Sequence, residues 1–261
     1  MKGLEIFLHS AKLLVRNLPQ ALRASLVPSL IIGATFWMTM RTIPIDKLFE
    51  MQENPEQYAD EAGQILLAML IFLAVFLFCT SWIAVAWHRY VLVEEDPGAI
   101  PPLHLEAIGS YVWRGFMIGL VMLIPAFILS ALGAAVVGPG GELGPGGLSV
   151  VQLLLFFLIV MVPLLVLFYR LATVLPGYAL GKRHGFFDGW SATEGAMGTL
   201  FSVAIIATLV NVVLNVLVEA LGQAGSTVDL IVGLVTLWVQ TMLGISVLTT
   251  LYGHYVEKRA L

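Results

Sequence analysis

Charged residues are scarce in this sequence. Asp, Glu, Lys and Arg make up 11% of its 261 residues, whereas soluble domains carry about 25%. Hydrophobic residues account for 59%, and the mean hydropathy is +0.94. This composition excludes a soluble globular protein and predicts an integral membrane protein. The sequence also lacks the alternating strands of about ten residues that build a membrane barrel, so helices are the expected spanning structure.

Cysteine is nearly absent too. Cys79 is alone and lies inside an apolar run, so the chain has no pair for an intramolecular disulfide, a thiolate metal site or a redox couple. A small buried apolar side chain is the role expected for it. No basic stripe longer than a few residues is present, which argues against nucleic-acid binding.

Motifs that mark enzymes or metal sites are missing as well. The sequence has no Gly-x-Ser-x-Gly elbow and no Walker loop, and its Gly-rich stretch 138–147 is not followed by lysine. The histidines include no His-Glu-x-x-His motif and no pair four residues apart, and we interpret them as interfacial polar residues: His9, His88, His104, His184 and His254. We therefore predict a protein without catalytic residues, metal or cofactor.

Long apolar runs recur six times. Each is long enough to cross a hydrocarbon core of about 30 Å at about 1.5 Å per residue. This predicts an all-α, polytopic membrane protein that forms a single domain over residues 1–261. The predicted spans are Ala24–Ile45, Ile65–Tyr90, Arg114–Val137, Ser149–Leu175, Leu200–Leu221 and Val228–Gly253.

Short amphipathic segments precede some of the spans. Residues 2–18 place polar side chains on one face of a helix and apolar ones on the opposite face, so this helix is predicted to lie in the membrane surface. Pro19 is expected to end it and to begin the next helix. A second such segment is predicted at residues 103–113. The first span begins beyond residue 20, too late for a cleavable signal peptide, so we expect none.

Two patterns concern the surroundings of the spans. The second span closes with an aromatic and basic group of the kind found at membrane–water boundaries: Trp82, Trp87, His88, Arg89 and Tyr90. The third span carries small residues at helical spacing, which predicts a close approach of helices in lipid: Gly115, Gly119, Ala126, Ser130 and Ala134.

Basic residues are distributed unevenly along the chain. If the termini and the loops 91–113 and 176–199 share one side, that side holds eleven of the thirteen Lys and Arg residues. Arg41 and Lys47 remain on the other side. The positive-inside rule then predicts that both termini are cytoplasmic.

The spans also pair into three helical hairpins. Each predicted unit has an interfacial segment, an outward helix, an external loop and a returning helix, over residues 2–90, 103–170 and 185–255. The returning helices end near Arg89, Arg170 and Tyr252, at nearly equal intervals. This predicts a pseudo-threefold repeat, although any chain with six spans and short loops gives similar spacing.

Two groups of polar residues are candidates for binding. The first group is basic and can bind phosphate headgroups or an acidic partner, or simply anchor helix ends by reaching water: Arg89, Arg170, Lys182 and Arg183. The second group consists of amides within or near spans, which we predict to form interhelical hydrogen bonds or, alternatively, to line a substrate path: Asn211, Asn215 and Gln240.

The stretch 170–195 resembles a pattern of bacterial six-helix inner-membrane proteins, the YciC-like proteins and the membrane domain of some glycerophosphodiester phosphodiesterases. An arginine at a helix end, Arg170, precedes Leu175-Pro176-Gly177 and a short amphipathic helix with Trp190 and Thr193-Glu194-Gly195. Gly177 departs from the pattern, in which alanine is more usual, and the sequence has no phosphodiesterase region. The resemblance implies a bacterial inner-membrane location and no established catalysis.

Two functions follow from these observations. The first is a non-catalytic scaffold, subunit or regulator of a membrane complex or of lipid organisation, with membrane lipids and other subunits or a second copy as partners. The alternative is a carrier or permease for a lipid or another apolar small molecule. It requires a cavity between hairpins lined by Asn211, Asn215 or Gln240, and a tightly packed bundle would exclude it.

Overall fold

The computed structural model describes residues 2–42, 59–137, 156–221 and 227–261, and within these ranges the chain is helical, with no strand. Two π-helical turns, Phe157–Met161 and Tyr252–Val256, lie before α5 and after α9. The helices are α1 Lys2–Arg16, α2 Leu18–Thr42, α3 Ala59–Val93, α4 Leu105–Val137, α5 Val162–Ala172, α6 Leu175–Ala179, α7 Asp188–Ala192, α8 Met197–Leu221 and α9 Thr227–Leu251.

The predicted number of spans is confirmed. Six helical segments of the described ranges are long and apolar enough to cross a membrane: Leu18–Arg41, Ala62–Val93, Leu105–Ala135, Leu158–Ala179, Met197–Leu221 and Val228–Val256. Several begin or end beyond the predicted apolar runs, because a helix continues into its polar flanks until a turn stops it. The predicted ends at residues 43–45 and 149–155 lie outside the described residues.

Helix α4 corrects the prediction of a separate interfacial segment at residues 103–113. The helix begins at Leu105 and runs without a break through Arg114 to Val137. Pro101 and Pro102 precede its start, and from there to Pro125 no proline interrupts the backbone hydrogen bonds. The polar residues of this stretch therefore belong to the first turns of a spanning helix.

Helix α1 is amphipathic, as predicted, but it has three faces instead of two. One stripe is buried against α8 and α9: Gly3, Ile6, Phe7, Ser10 and Leu14. At about 100° per residue, an exposed apolar stripe follows a third of a turn away: Leu4, Leu8 and Val15. The remaining third is polar: Lys2, Glu5, His9, Lys12 and Arg16. Its position in the membrane surface stays a prediction.

The long helices form a ring. Along it, α3 contacts α4, α4 contacts α5, α5 contacts α8, α8 contacts α9, and α9 returns to α3, while α2 packs mainly on α3. The short helix α6 contacts α3, α4 and α9, so it closes one end of the ring. The pseudo-threefold relation between residues 2–90, 103–170 and 185–255 stays a prediction.

The two ends of this bundle differ. We call the packed end the one formed by α1, residues 94–104, residues 173–196 and the turn Tyr252–Val256, and the open end the opposite one. In α3, every residue from Trp82 to Trp87 exposes 6% or less of its surface, whereas the large apolar side chains from Leu66 to Ile71 expose between 46% and 60%. The protein core therefore lies in the packed half.

A buried hydrogen-bond network joins the helices of the packed end. His88 of α3 contacts Thr249 of α9 at 2.8 Å and Tyr111 of α4 at 3.2 Å. Ser10 of α1 and Thr250 of α9 are 2.9 Å apart at their hydroxyl oxygens. The prediction that His88 is an interfacial residue is wrong, because it is fully buried.

The aromatic collar predicted at the end of α3 lies mostly in the core as well. Trp82 and Trp87 expose 4% and 0% of their surfaces, so neither faces a headgroup layer. Trp87 packs in a cluster with Leu14 of α1, Ala21 of α2 and Met242 of α9, whereas Trp82 lies in the main core cluster and donates to the carbonyl of Pro102 at 3.3 Å. Cys79 is buried, as predicted.

The small residues that bring helices together are not those predicted. A Cβ atom added at Gly115 or Gly119 of α4 would meet nothing within 4 Å, so no neighbouring helix approaches there. At Gly133 it would lie 2.6 Å from Val160, and at Gly3 it would lie 2.5 Å from Ser202. The close approaches are therefore between α4 and the π-helical turn before α5, and between α1 and α8.

Candidate functional site

The loop after α6 carries the basic cluster that the sequence singled out. Pro176 lies in the first turn of α6, and Gly181 follows the end of this helix with a φ of +72°, a conformation that glycine adopts without strain. The amide of Lys182 then donates to the carbonyl of Gly177 at 2.9 Å. This tight turn directs Lys182, Arg183 and His184 towards the first turns of α4.

These residues line one side of a pocket of about 690 Å³ at the packed end, which we call the basic pocket. The other side is formed by the end of α3 and the start of α4. The structure thus brings together three of the four basic residues predicted to bind a headgroup or partner: Arg89, Lys182 and Arg183. The lining also includes His104, Glu106, Ser110, Trp113, Tyr178 and His184.

Arg89 is held at the pocket wall by a carboxylate. Its guanidinium contacts Glu95 at 2.6 and 2.7 Å and donates to the carbonyl of Ala179 at 3.1 Å. His104 approaches the second oxygen of Glu95 at 2.5 Å. Burial alone would raise the pKa of Glu95, but the hydrogen bonds and charges of Arg89 and His104 outweigh it and hold that pKa below its ordinary value.

Lys182 is paired in a similar way. Its ammonium lies 2.7 Å from Glu257, which also contacts Arg259 at 2.6 Å. The hydrogen bond from Lys182 and the charge of Arg259 lower the pKa of Glu257 although burial opposes them, and the same bond raises the pKa of Lys182. Much of the charge of Lys182 is thus neutralised within the protein.

Arg183 differs from both. It is exposed, and no carboxylate of the described residues lies within ion-pair distance of it. Its neighbour His184 is packed between the rings of Tyr178 and Tyr252, at 6.2 and 5.9 Å between centroids. Burial lowers the pKa of His184, and the charges of Lys182 and Arg114 add to this against the opposing effect of Asp188 and Glu257.

Gly177 has a direct role in placing His184. A Cβ atom at this position would overlap Nε2 of the imidazole, so any larger residue would push the ring away from its site.

Arg170, the fourth predicted residue, lies outside the basic pocket. Its guanidinium lies 3.6 Å from the centroid of the Trp190 ring, donates to the carbonyl of Trp190 at 3.0 Å and contacts Thr193 at 3.3 Å. With 9% of its surface exposed, it is engaged by α7 and the residue that follows. The guanidinium thus holds α7 against the end of α5 and is not the water-reaching anchor that the sequence offered as the alternative, and a binding role for Arg170 stays a prediction.

Arg114 lies behind the wall of the basic pocket, and sequence reasoning did not select it. Its guanidinium donates to the carbonyl of Gly185 at 2.5 Å and lies over the rings of Phe186 and Tyr178, at 4.4 and 5.4 Å from their centroids. Only 7% of its surface is exposed. In the sequence it follows Trp113 at the start of an apolar run, which equally well describes an ordinary helix-end anchor.

A second, apolar cavity of about 780 Å³ lies between α4, α5 and α8. On α4, the stripe that is buried at Ile108 and Ile118 continues to Met122 and Ala126 at its wall. On α8, the buried stripe of Leu200 continues likewise to Asn211 and Asn215. The apolar cavity is therefore an open groove between α4, α5 and α8, because its lining residues are half-buried or exposed.

The predicted amides take different positions. The Nδ2 groups of Asn211 and Asn215 donate to Ala207 and Asn211 carbonyls of their own helix, at 2.8 and 2.7 Å. Each amide retains another donor and its oxygen. Nε2 of Gln240 is buried and has no hydrogen-bond partner among the described residues. Interhelical bonds by these side chains stay a prediction.

Within the described ranges, no group of three or more His, Cys, Asp and Glu side chains is arranged to hold a metal ion. No protein-family model, curated protein or solved structure matches the chain. The resemblance seen over residues 170–195 therefore stays a prediction, and the function is inferred from the geometry of the two cavities.

Proposed function

We propose that this protein binds a lipid or another apolar small molecule in the apolar cavity and acts as a carrier for it. The observation that supports this is the cavity itself. The carrier alternative requires an opening between helices lined by Asn211 or Asn215, and both residues line one. A volume of about 780 Å³ lies within the range of pockets that hold small molecules.

The chemistry of the lining indicates the kind of ligand. Met122, Met161 and Phe168 supply flexible or flat apolar surface that adapts to an acyl chain. The two asparagines add a few hydrogen-bonding groups along one wall, and Glu219 lies furthest along α8 towards the open end. An amphiphilic molecule, apolar over most of its length, suits this arrangement better than a polar metabolite.

The cavity is tested by filling it. Ala126→Phe places a ring against the cavity wall, and Ala134→Phe makes the same change on an exposed part of α4. We expect Ala126→Phe to reduce the amount of lipid retained by the purified protein in native mass spectrometry, and Ala134→Phe to leave it unchanged. Equal retention by both variants and the natural protein would remove the proposed carrier role.

A second candidate function is a non-catalytic scaffold or subunit of a membrane complex. The exposed apolar stripe of α1 favours it, because Leu4, Leu8 and Val15 expose 44%, 45% and 73% of their surfaces and are available to lipid or to a partner helix. Changing Leu4 and Leu8 to glutamine would release co-purifying polypeptides if the stripe holds them. Unchanged retention of such polypeptides would count against this candidate.

The orientation is part of the proposal. A bacterial inner membrane with the packed end in the cytoplasm is supported by the distribution of basic residues between the two ends. Single cysteines introduced at Arg183 and at Glu53, in a Cys79→Ser background, test it with a membrane-impermeant thiol reagent on intact cells. We expect labelling at position 53 only, and labelling at position 183 would reverse the orientation.

A further inference from the structure

We propose that the basic pocket binds a phosphate-bearing anion, either the headgroup of a lipid or a soluble phosphate compound. This site lies at the packed end and does not depend on the apolar cavity, so either can exist without the other. Six residues define it: Arg89, Ser110, Trp113, Tyr178, Arg183 and His184. Arg114 lies behind its wall.

The first reason is the buried charge of Arg114. No carboxylate of the described residues pairs with this guanidinium, and its Nε has no hydrogen-bond partner among them. Removing a cation from water without a counter-ion is costly. The aromatic rings of Phe186 and Tyr178 offset part of that cost, but they do not supply a negative charge. An anion in the pocket would supply it.

The position of Arg114 relative to the pocket is consistent with this role. Tyr178 lines the pocket on one side and lies 5.4 Å, centroid to guanidinium, from Arg114 on the other. The carbonyl that Arg114 contacts belongs to Gly185, next to the lining residue His184. Burial lowers the pKa of His184, and the nearby charge of Arg114 acts in the same direction.

The second reason is that the pocket offers free donors. Arg183 is unpaired among the described residues and presents a planar fork of N–H groups, which matches the oxygens of a phosphate. Ser110 adds a hydroxyl on the opposite wall. Arg89 is already paired, but its contact with Glu95 fixes the guanidinium in place, so it can add positive charge without being reordered.

The charge balance of the pocket lining also argues against a multiply charged protein segment as the ligand. Glu106 lines the same pocket, and Glu95 and Glu257 lie close behind it, so the excess of positive charge is small. A compact anion that is held by two or three residues suits this balance better than a long acidic segment. Trp113, which exposes 63% of its surface, offers a flat apolar wall for the organic part of the ligand.

Calorimetric titration of the full chain in dodecyl maltoside tests the proposal with three probes. Inorganic phosphate represents the soluble source, dioctanoyl phosphatidic acid represents the headgroup, and dioctanoylglycerol is a phosphate-free lipid. Arg183→Gln removes the free cation, and Arg23→Gln removes an exposed cation of α2 as the matched control. We expect Arg183→Gln to weaken phosphate-dependent binding about tenfold or more and Arg23→Gln to leave it unchanged.

Two further variants sharpen the result. Glu106→Gln should strengthen binding, because it removes the carboxylate that opposes the anion. Arg114→Gln should weaken it, and circular dichroism would show whether this buried change leaves the helices intact. If it does not, Arg183→Gln and Glu106→Gln still decide the matter, since both side chains are at the surface of the pocket.

The probes separate the sources and the two proposals. Binding of phosphatidic acid alone supports a lipid headgroup, and binding of inorganic phosphate supports a soluble phosphate compound. Absence of binding by both, or equal binding by Arg183→Gln and Arg23→Gln, overturns the phosphate site. Failure of dioctanoylglycerol to bind counts against the apolar cavity alone and leaves the phosphate result unaffected.

Discussion

The packed end and the open end of this protein are built from the same helices in different ways. On α8, the stripe that is fully buried at Leu200, Val203 and Ala204 is only half-buried further along, at Leu214 and Val218. Both stretches are equally apolar in sequence. The difference lies in what surrounds them, since α1, α6 and the loops cover the packed end, whereas the apolar cavity opens beside the later turns.

The comparison assigns most of the stability to the packed half and the apolar cavity to the open half. Buried side chains of the packed end contact protein on all sides, so their loss leaves a cavity. Exposed side chains of the open end leave an apolar neighbour in the protein for lipid, which is equally apolar, so their removal from the protein surface costs little. Substitutions of buried residues at the packed end are therefore expected to affect folding, and those at the apolar cavity to affect which lipid the protein retains.

The largest contrast is expected for tryptophan. Trp87 is fully buried in α3, whereas Trp37 of α2 exposes 61% of its surface. Trp87→Ala should lower the free energy of unfolding by about 3–5 kcal/mol, and Trp37→Ala by less than about 1 kcal/mol, from the loss of its contact with Arg41. Thermal unfolding in detergent measures both, and similar losses would remove the distinction between the ends.

A second contrast concerns glycine. At Gly189 of α7, a Cβ atom would lie 2.6 Å from the carbonyl oxygen of Arg170, whereas at Gly198 of α8 it would meet nothing within 4 Å. Gly189→Ala should lower the free energy of unfolding by about 1–3 kcal/mol, because the added methyl group displaces α7. Gly198→Ala should stabilise by about 0.5–1 kcal/mol through its helix propensity. The same unfolding experiment checks the opposite signs, and a neutral Gly189→Ala would contradict the close packing.

Arg170 and Arg183 separate anchoring from binding. Arg170→Gln removes the contacts that hold Trp190 and Thr193, so we expect a loss of about 1–3 kcal/mol in stability with phosphate binding retained. Arg183→Gln should leave the stability unchanged and weaken phosphate binding. Measuring thermal stability and phosphate binding on both variants tests this, and a loss of binding by folded Arg170→Gln would extend the site to α7.

The smallest effect is expected at Glu95. The pKa of Glu95 is lowered in the folded protein. The stability that this carboxylate contributes is therefore fully present at a pH above the ordinary pKa of about 4.5, and it is lost as the pH falls through the lower pKa of the folded protein. Glu95→Gln should lower the free energy of unfolding by up to about 1 kcal/mol at pH 7. It should also reduce the loss of stability that occurs at acid pH. Glu94→Gln, next to it and exposed, is the control, and identical pH curves would show that the pair contributes nothing.

The spans could be predicted because a helix that crosses a bilayer must be both long and apolar, and a hydropathy profile measures both properties directly. The prediction failed at the packed end for a related reason. Trp87 and His88 have the composition of a boundary collar, and only the packing of α1, α2 and α9 around Trp87 and of α4 and α9 around His88 turns them into core. Gly115 and Gly119 show the spacing of a helix contact, but spacing does not say which face meets a neighbour.

The binding residues divide in the same way. Arg89, Lys182 and Arg183 could be selected because basic side chains near helix ends are few in such a sequence. Their assembly into one pocket depends on the turn at Gly181, which the sequence alone does not orient. Arg114 was missed because its burial and its lack of a counter-ion are properties of the fold.

The docking of α1 has a consequence for the order in which the protein is made. Helix α1 leaves the ribosome long before α8 and α9, yet its buried stripe contacts both of them, and Ser10 meets Thr250, 240 residues later. During synthesis, α1 therefore has no permanent binding site until α8 and α9 have been inserted. A translation product that stops before α9 carries α1 undocked, with its apolar stripes uncovered, a mark by which quality-control proteases can tell it from the finished protein.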